Sequence, residues 1–258
     1  MPSDLLPVIV SSLGGCGPGL AAMLVPVWHQ WLPIALTLSL ALLAYRLGEV
    51  SAGGAVAGVA VSLLLYAAAG PGGFAVLGAV FLVTAASSRF GRTRKRALGI
   101  AENPKGRGAA QILANLLAGS ALSLAASLTG RPSALVAGIA ALAEAAMDTA
   151  SGEIGKGTPV KVYLITSFQR VDPGVDGGVS RAGTLAGIVA AVAIALTAVG
   201  WRLIRPGQIA IVVVAAILGG LVDSILGATL QRAGWLSNSA VNLAGTIFAA
   251  LVAWAGGG

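Results

Sequence analysis

The chain has 258 residues, of which 57% are hydrophobic and only 10% charged, and its mean hydropathy is +0.90. A soluble domain carries about 25% charged residues, so this chain lacks the polar surface needed to cover itself in water and reads as an integral membrane protein. Its net charge of +7 sits in short gaps between apolar runs, which fits membrane topology and argues against a nucleic-acid partner, while a single Cys16 and a single His29 exclude a disulfide scaffold and a histidine-built zinc site.

Residues 1–28 form an apolar stretch broken by Pro7, Gly14, Gly15, Gly17, Pro18, Gly19 and Pro26. No Lys or Arg precedes the apolar run 5–26 within it, which argues against a cleaved signal peptide. From residue 29 to 258 the chain reads as one transmembrane helical domain. Apolar runs long enough to cross a hydrocarbon core of about 30 Å lie near 29–46, 54–70, 73–90, 109–128, 133–150, 183–201, 208–227 and 240–257. The expected fold is therefore an all-α, polytopic helical bundle of seven to eight spans.

The basic residues test this reading, because loops on one side of a membrane should carry the excess. Alternate gaps collect thirteen Lys and Arg against three, the three being Arg131, Arg202 and Arg205. That asymmetry arises only if 54–70 and 73–90 both span and are joined by the turn Ala69-Gly70-Pro71-Gly72-Gly73. The loops 89–108, 151–182 and 228–239 then share the cytoplasmic side, which suits a bacterial inner membrane.

Polar groups inside spans cost several kcal/mol for a carboxylate, about 2.5–3.5 on insertion scales, so each is a candidate for function. Here they come in helical pairs. Gln111 and Asn115 are four apart, as are Glu144 and Asp148, and Asn238 and Asn242; Asp223, Gly227 and Gln231 repeat at the same interval. Four helices thus bring carboxylates and amides to the same cytoplasmic third of the membrane. Asp148 and Asp223 suit a divalent cation that also takes phosphate oxygens, as magnesium does.

The inner loops carry the complementary chemistry. Arg92-Thr93-Arg94-Lys95-Arg96 and Lys105-Gly106-Arg107-Gly108 combine cations with glycines that let backbone amides approach an anion. A second loop runs from Asp148 through Glu153 and Lys156, past Lys161 and Gln169-Arg170, to Gly177-Gly178-Val179-Ser180 just ahead of a helix. Free amides and the helix dipole favour phosphate at that place. Gly155-Lys156 lacks the glycine spacing of a P-loop, and no nucleophile elbow is present.

In the order of these strings the chain resembles the integral membrane family that includes transmembrane protein 19 and phytyl-phosphate kinase. The resemblance covers roughly residues 45–245. It runs through Ser51-Ala52-Gly53-Gly54-Ala55, Arg96-Ala97-Leu98-Gly99, Gln111-Ile112-Leu113-Ala114-Asn115, and Asp148-Thr149 with Glu153. It continues through Gly177-Gly178-Val179-Ser180 with Gly183-Thr184, Val222-Asp223-Ser224 with Gly227-Ala228 and Gln231, Ser237-Asn238, and Val241-Asn242. Gln169 stands where the family usually has lysine, and Leu116 where it usually has glycine.

The resemblance implies a CTP-dependent kinase that converts a prenyl monophosphate such as phytyl phosphate to the diphosphate. It makes Asp148 and Asp223 the magnesium-holding and catalytic carboxylates, with Glu153 in support. Lys105, Arg107, Lys161 and Arg170 are then expected to neutralise phosphate charge, and Gly177, Gly178, Ser180 and Thr184 to bind it; Asn115, Gln231, Asn238 and Asn242 would orient the substrates. The prenyl tail would stay in the bilayer between spans. Two other classes fit buried carboxylates among broken helices: a transporter or ion-coupled permease, and a non-catalytic prenyl-lipid-binding protein.

Overall fold

The structure, a computed structural model, describes residues 18–101 and 106–256. Its helices are α1 (Pro18–Arg46), α2 (Ala52–Arg89), the short α3 (Arg92–Ala97), α4 (Ala109–Thr129), α5 (Pro132–Gly157), α6 (Arg181–Gly200), α7 (Ile209–Leu226) and α8 (Asn238–Gly256). A 3-10 turn at Pro206–Gln208 leads into α7, and a π-helical turn at Gly227–Gln231 follows it. Among the described residues six helices are long and apolar enough to cross a bilayer, α2 among them, besides the apolar Pro33–Arg46 part of α1.

One of those six crosses twice. Gly70 leaves the helical region with φ 60° and ψ −151°, a conformation that glycine adopts without steric cost, and Pro71 restarts the helix behind it. The halves fold back on each other: Tyr66 and Phe74 meet edge-on with ring centroids 6.4 Å apart. The far ends of the hairpin also meet, since Arg107 Nη2 donates to Ser88 Oγ at 2.7 Å while Ser51 N donates to the Arg107 carbonyl at 3.0 Å. The charge asymmetry had required this turn. With it the crossings agree with the seven to eight expected.

Helix α5 is the axis of the bundle and packs on α2, α4, α6, α7 and α8. It is buried without interruption from Val136 to Met147, and its buried side chains are mostly alanine. In a lipid environment the hydrophobic effect gives helices little reason to associate, so close backbone approach between small residues has to supply the packing. The crossings with α4 and α6 show how close that is. A Cβ on Gly119 would lie 2.9 Å from the Gly138 carbonyl, and one on Gly187 would lie 2.9 Å from that of Met147.

Four features depart from the sequence reading. Helix α5 continues to Gly157, so Asp148, Ser151, Glu153 and Lys156 stand on a helix rather than in a loop. The basic stretch 92–96 is likewise helical, as α3. Beyond α5 a small antiparallel sheet of β1 (Val162–Leu164), β2 (Arg170–Val171) and β3 (Gly178–Val179) forms with order β2-β1-β3, pairing Tyr163 with both Arg170 and Val179. Helix α1 also begins ahead of residue 29, inside the stretch set apart as N-terminal; residues 1–17 of that stretch lie outside the described residues.

Candidate active site

The loops after α1, α2, α5 and α7 gather at one end of the bundle. Val50 and Arg107 form a parallel bridge, Arg89 pairs with Glu49 at 2.8 Å, and Gly91 packs on the backbone of Gly157. Gly177 closes on the π-helical turn: it has φ +73°, and its N lies 3.1 Å from where a Cβ on Gly227 would stand. These contacts enclose a polar cavity of about 280 Å³.

Most of the expected site residues line it. Asp148, Glu153, Asp223, Arg107, Gly177, Gly178, Ser180, Gln231, Asn238 and Asn242 all do, joined by Gln111, Lys156 and Asp176. Asn115 stands one layer out, accepting a 3.0 Å hydrogen bond from Asn242 Nδ2 and so tying α4 to α8. Thr184, Lys161 and Arg170 are exposed and do not line the cavity; the last two belong to the sheet region above it. Lys105 lies outside the described residues.

Each position has a local cause. The i, i+4 spacing predicted from sequence aims Glu144 and Asp148 from α5, and the π-helical turn widens the backbone just where Asp223, Gly227 and Gln231 approach the 174–178 turn. Ser180 caps α6, its Oγ accepting from Gly183 N at 3.1 Å. Gly183 itself leaves no room for a Cβ against the Ser151 carbonyl, which brings the α6 N-terminus onto α5.

Glu153 is engaged differently from its expected role. Lys95 Nζ donates to its Oε2 at 2.5 Å and Lys156 pairs with its Oε1, so each carboxylate oxygen has an ammonium partner. Lys95, 1% exposed, also donates to the Ser88 carbonyl at 2.6 Å. No local pattern marks this lysine as the one basic residue of 92–96 that is fully buried. The Lys95–Glu153–Lys156 group fixes α3 against α5 and holds Lys156 at the cavity wall.

The remaining carboxylates are less well matched. Asp148 and Asp223 are near enough to repel each other, and Lys156 and Arg107 are the cations within electrostatic reach of Asp148. Among the described residues Asp223 Oδ2 is buried with no hydrogen-bond partner, and so are both oxygens of Glu144, enclosed against Gly219 and Gly245 just beneath. Among the described residues the lining carries four carboxylates and two cations, and Lys95 binds one of those carboxylates, Glu153, from behind. An unpartnered buried carboxylate oxygen beside a second carboxylate is a good donor set for a hard cation. Among the described residues no three acidic, His or Cys side chains are placed to share one metal ion, so a magnesium ion here would have Asp148 and Asp223 as its protein ligands and complete its shell with water or phosphate oxygens.

Comparison with known proteins settles the lineage. The model of the family described as Integral membrane protein DUF92 matches residues 35–250. The chain belongs to this family. Among DUF92 relatives it is 35% identical over 198 residues to an uncharacterized membrane protein of Synechocystis sp., covering 75% of this chain and 77% of that one. It is 31% identical over 212 residues to the chloroplastic protein VTE6 of Arabidopsis thaliana, covering 79% and 64%. With an uncharacterized membrane protein of Methanocaldococcus jannaschii it shares 36% identity over 175 residues, 67% and 71% of the two chains. No solved structure matches.

Proposed function

We propose that this DUF92 protein is a CTP-dependent kinase that transfers a phosphoryl group to a prenyl monophosphate such as phytyl phosphate, at the end of the bundle that faces the cytoplasm of a bacterial cell. The observation that carries the reading is the polar cavity itself, where carboxylates, amides, cations and glycine backbone from four spans and a connecting loop converge beside the bilayer. The family resemblance supplies the substrate class.

Asp148 and Asp223 would hold Mg2+, which when bound would supply positive charge against the transferring phosphates. Arg107 and Lys156 face phosphate oxygens across the same cavity, and the amides of Gly177 and Gly178 lie beside them. An oxygen of the acceptor phosphate attacks the γ-phosphorus of CTP, the bond from that phosphorus to the β–γ bridging oxygen breaks, and prenyl diphosphate and CDP leave. The acceptor is already anionic, so the chain supplies no general base. Positioning and charge neutralisation account for the rate. Asn242, held by Asn115, and Asn238 orient the phosphates.

The test is transfer from γ-labelled CTP to phytyl and geranylgeranyl monophosphates by purified protein, with and without magnesium. Asp148→Asn and Asp223→Asn should each lower the rate about 100-fold or more while leaving the protein folded. Rates near wild type in both variants would remove the two carboxylates from the reaction.

A further inference from the structure

A second cavity, of about 160 Å³, lies beside the first and is of opposite character. It is a slot between α1, the two arms of the α2 hairpin and α4. Gly54, Gly58 and Ser62 face it from one arm, and Leu77, Gly78 and Phe81 from the other. The three positions on the first arm, four apart, extend along about 12 Å of helix. At the inner end the slot is bounded by Arg107, 6% exposed, which lines the polar cavity as well. Gly54 makes that junction possible, because a Cβ there would strike the Arg107 carbonyl. At the deep end Thr37 and Ser62, both buried, close the slot through a 3.1 Å hydrogen bond between their hydroxyls. Asn115 is at its wall and hydrogen-bonds Asn242 in the polar cavity, a second link between the two spaces.

The two glycines midway along the slot have no packing role to explain them. A Cβ on Gly58 or on Gly78 would meet nothing within 4 Å, whereas Gly54, Gly72 and Gly73 are each pressed against a neighbour. Glycine without a close neighbour costs helix stability, about 1 kcal/mol relative to alanine, and here it leaves open volume on both sides of one apolar space. An apolar cavity of this size stays dry and accepts a small apolar group.

We propose that this slot receives the part of an isoprenoid tail nearest the phosphate of the acceptor, with Arg107 at the boundary between head and tail and Gly58 and Gly78 keeping the channel open. The inference rests on the prenyl-phosphate kinase reading and adds to it where the tail goes. Arg107 lines both spaces and so decides the occupant: a ligand that reaches both must be an anion attached to an apolar chain. A free nucleotide or inorganic phosphate would fill only the first.

The experiment is photocrosslinking of farnesyl monophosphate carrying a diazirine on the isoprene unit next to the phosphate, using the full chain in detergent micelles. Crosslinks should map to 54–62 and 77–84, and be competed by unlabelled farnesyl monophosphate. Gly58→Leu and, from the opposite arm, Gly78→Leu fill the open space, and each should weaken binding of the probe about 10- to 100-fold, from roughly 0.8 kcal/mol for each methylene displaced. Magnesium-dependent CTP binding by the same variants should remain. Crosslinks confined to other helices, or unaltered probe affinity in a folded Leu variant, would overturn the slot. Crosslinking at the slot in a protein that transfers no phosphate would sink the kinase reading and leave the slot standing as a lipid site.

Discussion

Replacing Lys95 by methionine removes a buried ammonium while keeping most of its aliphatic volume. In the native protein that ammonium makes two short charge-assisted hydrogen bonds, 2.5 Å to Glu153 Oε2 and 2.6 Å to the Ser88 carbonyl. Such bonds contribute about 1.5–3 kcal/mol each, and breaking a buried pair by deleting one partner costs about 3–5 kcal/mol because the other charge is left behind. Lys156 still holds Glu153 Oε1 and offsets part of that, so the expected loss is about 3 kcal/mol, or roughly 100-fold in the unfolding equilibrium. Equilibrium unfolding in mixed micelles measures it, and a double-mutant cycle with Glu153→Gln isolates the pair, which should couple by about 1–3 kcal/mol. Because the pair is enclosed, raising the salt concentration should leave the coupling nearly unchanged. A Lys95→Met protein within about 0.5 kcal/mol of wild type, or a cycle that closes additively, would refute the assignment of α3 docking to this ion pair.

Two further substitutions test the backbone contacts that shape the bundle. Gly177→Ala forces a side chain into a positive-φ position where it meets Ala228, so stability should fall by about 1–2 kcal/mol or more and magnesium-dependent CTP affinity should fall with it, read by thermal shift with and without nucleotide. Gly119→Ala places a Cβ 2.6 Å from Leu142 and 2.9 Å from the Gly138 carbonyl, and should cost about 1–3 kcal/mol of stability with nucleotide affinity retained in the folded fraction.

Much of this architecture was legible because a membrane leaves a sequence few choices. The hairpin in α2 followed from Gly70-Pro71 together with the parity of the basic loops, and the shared depth of Asp148, Asp223, Gln111, Asn238 and Asn242 followed from helical spacing counted from span ends. What local pattern could not give was pairing across the chain. The Asn115–Asn242 bond joins residues 127 apart, and the Lys95–Glu153 pair joins residues 58 apart. Nothing in Arg92-Thr93-Arg94-Lys95-Arg96 distinguishes the lysine that is buried from the arginines beside it, since only the position of α5 decides which side chain finds a carboxylate. The reach of α5 beyond residue 150 was obscured by Gly152, Gly155 and Gly157, which read as a loop; in the helix Gly155 packs against the start of α6 and Gly157 against Phe90.

Glu144 bears on the choice between a kinase and a permease. It sits one helical turn below Asp148, and its carboxylate is buried, closed in by Gly219 of α7 and Gly245 of α8. A path from the polar cavity to the opposite face would have to pass it and then run beside α5 from Ala143 down to Val136. There every side chain is at most 1% exposed, and Gly119 of α4 presses against the Gly138 carbonyl. Close packing therefore lies across the route that transport would need. The apolar slot, by contrast, lies to the side of the cavity, toward α1, with Arg107 as a shared wall. A polar chamber closed toward the far side and flanked by an apolar slot suits chemistry on the head of a lipid that stays in the bilayer.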